Sequence, residues 1–166
     1  MIRAVFIGCV QMSAIFLAHL RTLPDIEIVG VVTRRESKFN SDYAELSGPH
    51  SDGPYRLPAA NRLYIEDPLS LRVFLEHLEP DVVFCCGWSS LLPADVLSIP
   101  ELGVIGFHPA LLPANRGRHP IIWALALGLN ETGSTFFRMV EEADAGPIIN
   151  QRRVPIHVTD YAADLY

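Results

Sequence analysis

The sequence predicts an α/β protein built on an open, mostly parallel sheet with helices on both faces. Three observations carry this. Apolar, β-branched runs of strand length recur along the chain: IRAVFIG (2–8), IEIVGVVT (26–33), VVFCCG (82–87) and GVIGF (103–107). Segments with apolar residues at helical spacing separate them, which makes strand–helix–strand crossover units. At 166 residues and 49% hydrophobic content, the chain is long enough to bury one domain core and short for two.

The first strand ends in Gly8 and feeds MSAIFLAHLRTL, a helix, and then the second strand, 26–33. From Arg34 to about Asn61 the periodicity fails in stretches rich in Ser, Gly, Pro and Asn, which reads as a long, mobile surface loop. Asp67-Pro68 is a helix start, with Asp as N-cap and Pro at the first helical position, and LSLRVFLEHL carries the helix to Pro80. PDVVFCCG follows as a strand, LPADVLSI as a short helix, and GVIGF as a strand that runs into GFHPALLPANRGRHP (106–120). That last stretch cannot be regular secondary structure, because its three prolines remove backbone donors and fix φ. HPIIWALALGLN then reads as a helix, and TGSTFFRMV and GPIINQRRVPI as two late strands close enough to pair. DYAADLY opens a final helix that stops within two turns, too short to be stable alone, so the chain is expected to lack a C-terminal portion of a single domain spanning 1–166.

Composition narrows the function. No apolar run reaches the roughly 18 residues of a membrane span, and the N-terminus reads as a strand rather than a signal peptide, so a cytoplasmic protein is expected. Cys9, Cys85 and Cys86 lie in apolar runs without C-x-x-C spacing, which predicts reduced core thiols, with neither a disulfide framework nor a metal site. The net charge is −6, and one Lys and twelve Arg are scattered rather than striped, which argues against a nucleic-acid groove.

In open α/β sheets ligands bind beyond the carboxyl ends of the strands. The loops after Gly8, Cys86 and Phe107 all lie at that edge. The first, GCVQMS, holds one glycine rather than G-x-G-x-x-G, and the second strand ends in VVTRR with no acidic residue for a ribose, so a nicotinamide enzyme is disfavoured. This loop is either an anion site at a helix N-terminus or a tight turn without a ligand. His108, at a strand end and pinned by Pro109, is placed as a general acid or base or as a strand cap. His119, beside Pro120, reads as a helix cap. Arg116 and Arg118 flank Gly117 and either reach over a cleft toward an anion or sit in solvent. Asp144 in EEADAGPI is a turn aspartate, a candidate only if its loop approaches His108. GWSSLLP puts Trp88, Leu91 and Leu92 at the sheet edge, as a wall for a flat heterocycle or as ordinary core.

PDVVFCCGWSSLLP, GVIGFHPALLPANRGRHPIIWAL and ETGSTFFRMVEEADAGPII, in this order and spacing, resemble the 10-formyltetrahydrofolate-dependent formyltransferase family. That family includes methionyl-tRNA, glycinamide ribonucleotide and sugar N-formyltransferases. The resemblance is close over 81–149, looser over the N-terminal strand and helix, and strongest in HP-x-LLP-x-x-RGR. It implies a Rossmann-like fold and attack of a primary amine on the formyl carbon of 10-formyltetrahydrofolate, through a tetrahedral intermediate. His108 would protonate the oxyanion or the leaving nitrogen, and Asp144 would orient that histidine and help take the amine's proton. The pterin would lie between Trp88, Leu91 and Leu92 on one side and Glu142, Ala143 and Asp144 on the other. RGRHPIIWAL and TFFRM are most like the sugar branch, which implies a nucleotide-linked amino sugar as acceptor, with Arg118 and Arg116 near its polar groups. The resemblance also allows a homodimer.

One departure bears on catalysis. The family carries an asparagine two residues before the histidine, and here that position is Gly106, which has no side chain to donate to an oxyanion. Losing such a donor costs about 2.7–4 kcal/mol. Asn115, Ser89 and Ser90 are the candidate replacements. Two alternatives therefore stand beside the sugar enzyme: a folate-binding module with lost transfer activity, and a methionyl-tRNA formyltransferase.

Overall fold

The computed structural model describes residues 1–35, 42–44, 46, 58–65 and 68–165. The expected mobile loop falls largely outside these residues, as do Asp67 and Tyr166. Two units make up the chain, Met1–Val104 and Ile105–Tyr166.

In the first unit, β1 (Ile2–Ile7) leads through α1 (Gln11–Leu20) to β2 (Ile26–Thr33). A 3-10 turn at Ala59–Asn61 precedes β3 (Arg62–Tyr64), then come α2 (Pro68–Leu78), β4 (Val82–Cys85) and α3 (Ala94–Leu97). β1 pairs in parallel with β2 on one side and β4 on the other, and β2 pairs in parallel with β3. β1 is an interior strand between β2 and β4, which explains its sequence: Ala4, Val5, Phe6 and Ile7 are all fully buried, so successive residues on both faces are apolar. α2 covers the core with one stripe, Leu71, Leu75 and Leu78, at i, i+4 and i+7. It ends where Glu79 turns left-handed (φ 46°) just before Pro80, which cannot continue a helix.

β3 was not legible in the sequence. It is three half-buried residues long and held by its register with β2, Val31 to Arg62 through Thr33 to Tyr64, rather than by apolar content.

In the second unit, β5 (Val104–His108) pairs antiparallel with β6 (Glu131–Arg138), which pairs antiparallel with β7 (Ile148–Pro155). The two late strands thus form the expected hairpin. α4 (Pro120–Ala126) is shorter than the sequence predicts, because Gly128 adopts a left-handed conformation (φ 64°) and ends it. α5 (Ala162–Leu165) closes the described chain. The α/β class and the open, parallel-stranded sheet expected from the sequence are both present. Among the described residues, no helix is long and apolar enough to cross a membrane.

Candidate functional site

The first four N–H groups of the first loop are engaged within the protein. The N–H groups of Gly8, Cys9, Val10 and Gln11 donate respectively to Val32 O (3.1 Å), Gly87 O (3.3 Å), Ser13 Oγ (3.2 Å) and Asp42 O (2.9 Å). Ser13, fully buried, in turn donates to Cys86 O at 2.7 Å and ties the start of α1 to the end of β4. These four donors are engaged inside the protein, and Gly8–Gln11 forms a tight turn.

The end of β4 carries the aromatic segment of the first unit. The Arg34 guanidinium lies over the Trp88 ring, 4.4 Å from its centroid, and Arg34 Nη2 donates to Ser90 Oγ at 2.6 Å. Such a cation–π contact holds a side chain that would otherwise be free to rotate. Trp88 Nε1 is buried and has no hydrogen-bond partner among the described residues. Leu91 is 65% exposed whereas Leu92 is 4% exposed, so Leu91 faces solvent and Leu92 belongs to the core. Burial pushes the Cys86 thiol up to about 12 and the Cys85 thiol well above its ordinary range, which keeps both protonated and unreactive.

The second unit brings His108 and Asp144 together. His108 is the last residue of β5 and only 6% exposed. Its Nδ1 lies 3.6 Å from Asp144 Oδ1, an ion-pair distance slightly beyond a hydrogen bond, and its Nε2 is 2.8 Å from the carbonyl of Asn115. A carbonyl can only accept, so Nε2 carries the proton of that bond, which aims Nδ1 at the carboxylate.

Asp144, in the β6–β7 connection, adopts a left-handed backbone (φ 52°). Its Oδ2 accepts the N–H of Gly117 at 2.8 Å rather than an N–H of its own turn. Arg116 Nη1 donates to Glu142 Oε1 at 3.2 Å, and both side chains are exposed, as are Ala143 and Arg118. The segment that leads from His108 is fastened from behind. Thr135 Oγ1 donates to Ala110 O (2.6 Å), and Gln151 Nε2 donates to Leu112 O and Thr135 Oγ1 (2.9 Å each).

His119 occupies the N-cap position of α4, but its backbone is left-handed (φ 56°) and its side chain makes no capping bond, contrary to its expected role. Gly106 is filled space rather than a vacancy. A Cβ there would lie 2.8 Å from Met139 Cγ and 2.9 Å from Phe137 Cζ, and Phe137 is the residue paired with Gly106 on β6. Asn115, one of the candidate replacements for the missing carboxamide, meets His108 through its main-chain carbonyl.

Sequence reasoning missed Gln151 and Thr135, which fasten the loop through carbonyls, and the backbone roles of Asn115 and Gly117. The one signal for the latter is their residue types, since Asn and Gly tolerate positive φ best. Among the described residues, no group of three or more His, Cys, Asp or Glu is placed to hold a metal ion.

The family model described as Formyl transferase matches residues 4–166. A methionyl-tRNA formyltransferase of Thermotoga neapolitana is 36% identical over 166 residues, an alignment covering 93% of this chain and 49% of that protein. The chain therefore spans about half the length of the curated relatives it matches. Among solved structures, a phosphoribosylglycinamide formyltransferase from Anaplasma phagocytophilum aligns over 99% of this chain and 77% of its own, with TM-score 0.79 and 25% identity. A Mycobacterium tuberculosis protein offered as a sugar N-formyltransferase shares the fold, with TM-score 0.70 and 20% identity over 100% of this chain and 60% of its own.

Proposed function

We propose, for a chain that belongs to the formyl transferase family, transfer of the formyl group of 10-formyltetrahydrofolate to a primary amine, with residues 1–166 acting as one catalytic domain. The observation that carries this reading is His108 at the end of β5, inside HP-x-LLP-x-x-RGR, with Asp144 3.6 Å away. Transfer requires that the attacking amine lose a proton and the departing folate nitrogen gain one. His108, as the imidazolium, delivers its Nδ1 proton to that nitrogen as the C–N bond to the folate breaks, while its Nε2–H stays on the Asn115 carbonyl. Asp144 orients the imidazole and takes up the proton that the amine sheds. By the family resemblance, Trp88, Leu91, Leu92, Glu142, Ala143 and Asp144 are the residues that contact the folate.

For the acceptor we favour the amino group of a nucleotide-linked sugar, with Arg116 and Arg118 toward its polar groups. RGRHPIIWAL and TFFRM support it. So does the GCVQMS turn, in which the N–H groups of Gly8, Cys9, Val10 and Gln11 are engaged within the protein rather than left for an acceptor phosphate. Methionyl-tRNA is the second reading, favoured by the 36% identity to the Thermotoga protein of that name.

Two measurements test the proposal. Calorimetric titration with 5-formyltetrahydrofolate, a stable stand-in for the donor, should show saturable 1:1 binding, and its absence would sink the folate reading. Mass spectrometry of N-formyl product over a panel of amino-sugar nucleotides and methionyl-tRNA then assigns the acceptor. His108→Ala should lower that turnover by about 10²–10⁴, the usual contribution of general acid–base catalysis. Folate binding without product on any amine would leave a folate-binding module instead.

A further inference from the structure

We propose that Asn115 and Gly117 are positioning residues: the main chain of residues 115–117 is a bracket that holds His108 and Asp144 in register. This deepens the proposed reaction and rests on it for its consequence in turnover, though not for its geometry.

Three successive residues each engage the pair or its neighbour. The Asn115 carbonyl takes the His108 Nε2 hydrogen at 2.8 Å. The Gly117 N–H donates to Asp144 Oδ2 at 2.8 Å, which leaves Oδ1 as the oxygen that faces His108 Nδ1. Between them, Arg116 reaches Glu142, two residues before Asp144. One short strand of backbone thus fixes the far nitrogen of the imidazole and the far oxygen of the carboxylate. What remains facing is the pair itself.

The backbone conformation needed for this is costly. Asn115 (φ 56°), Gly117 (φ 100°) and Asp144 (φ 52°) all occupy the left-handed region, which disfavours residues with a Cβ by roughly 1–2 kcal/mol. Strain concentrated in this way persists only where the surroundings over-determine it. Here the surroundings are the carbonyls of Ala110 and Leu112, fastened to Thr135 and Gln151. Nothing crowds Gly117: a Cβ built there meets no atom within 4 Å, so its φ, not its space, calls for glycine. Gly117→Ala therefore perturbs the backbone and nothing else.

The test uses the full chain with 15N-labelled histidine and the variants Asn115→Gly, Asn115→Val and Gly117→Ala. Among the six histidines, the His108 ring N–H is identified by its loss in His108→Gln. The bracket predicts a slowly exchanging Nε2–H in the native chain that survives in Asn115→Gly, which keeps both carbonyl and φ. In Asn115→Val it should exchange at least about tenfold faster, because a β-branched residue rejects the left-handed region. In turnover, Asn115→Val and Gly117→Ala should lower kcat about 5- to 30-fold, the backbone cost converted at 1.36 kcal/mol per tenfold. KM for the folate should move less than about twofold.

If the ring N–H exchanges as fast in Asn115→Gly as in Asn115→Val, the side-chain amide and not the main chain holds the imidazole, and the proposal is overturned. It is equally overturned if the native ring N–H exchanges freely, or if none of the variants changes it. Should the NMR pattern hold while no amine is formylated even by the native chain, the bracket stands and the reaction reading is the one that fails.

Discussion

Gly106→Asn returns the carboxamide that the family resemblance places two residues before the histidine, and the packing around Gly106 sets what it would cost. The new Cβ would lie 2.8 Å from Met139 Cγ and 2.9 and 3.0 Å from the edge of the Phe137 ring, against the roughly 3.5–4.0 Å of an ordinary carbon contact. Met139 is a flexible chain that can swing aside. Phe137 is only 3% exposed, so its ring can give way only into the core. Overpacking of this kind costs about 1–3 kcal/mol. At about 2–4 °C per kcal/mol for a chain of this length, the midpoint of thermal unfolding should fall by about 2–12 °C. Phe137→Leu shortens the ring side chain, so the double variant should be less destabilised than the sum of the single ones. A coupling of about 0.5–3 kcal/mol is expected for residues in contact. Urea titration of the native chain, both single variants and the double variant completes the cycle. Strict additivity, or a Gly106→Asn chain as stable as the native one, would refute the claim that Phe137 and Met139 fill the carboxamide's place. If the double variant also gains turnover, toward the 10²–10³ typical of one oxyanion donor, the native site lacks that donor. Unchanged turnover would mean that other groups hold the oxyanion.

Further outcomes follow from the same structure. Leu92→Ala should cost about 2–5 kcal/mol of stability as a buried truncation, whereas Leu91→Ala should leave stability within about 0.5 kcal/mol and weaken 5-formyltetrahydrofolate in calorimetry. The buried thiols give a pH signature. Both are raised in the folded state, so the unfolded chain ionises first as pH climbs past the ordinary value of 9.0. Their contribution to stability is thus complete below pH 9.0 and is lost above it, at about 1.4 kcal/mol per pH unit for each thiol until the folded value near 12 is reached for Cys86. Urea midpoints at pH 8, 9.5 and 10.5 should decline more steeply for the native chain than for Cys86→Ala, and parallel declines would contradict the burial argument. Glu142→Ala removes an exposed ion pair with Arg116 and should shift stability by no more than about 1 kcal/mol in a urea titration.

How far the sequence revealed this protein depended on whether side chains or backbone carried the information. β1 and β2 were legible because strands buried on both faces must be apolar at nearly every position, as Ala4–Ile7 and Val31–Val32 are. α2 was legible because its apolar residues fall on one face. β3 was not, since Arg62–Tyr64 joins the sheet through backbone pairing with Val31–Thr33, and no side-chain pattern encodes that. The same division runs through the site. Prolines and a histidine in HPALLPANRGRHP announced an irregular loop with a reactive group at its base, and the acidic EEADAG turn announced a carboxylate. That Oδ2 of this carboxylate is spent on the Gly117 N–H, and that the imidazole is held by the Asn115 carbonyl, could not be read, because every non-proline residue carries those groups. The glycine at 106 shows the limit most clearly. The sequence displays a missing side chain, but only the pairing of Gly106 with Phe137 shows that an aromatic ring from the next strand lies where the side chain would start. A substitution that looks like the loss of one group is therefore part of a repacked strand pair. Restoring the asparagine is a question about β6 as much as about β5.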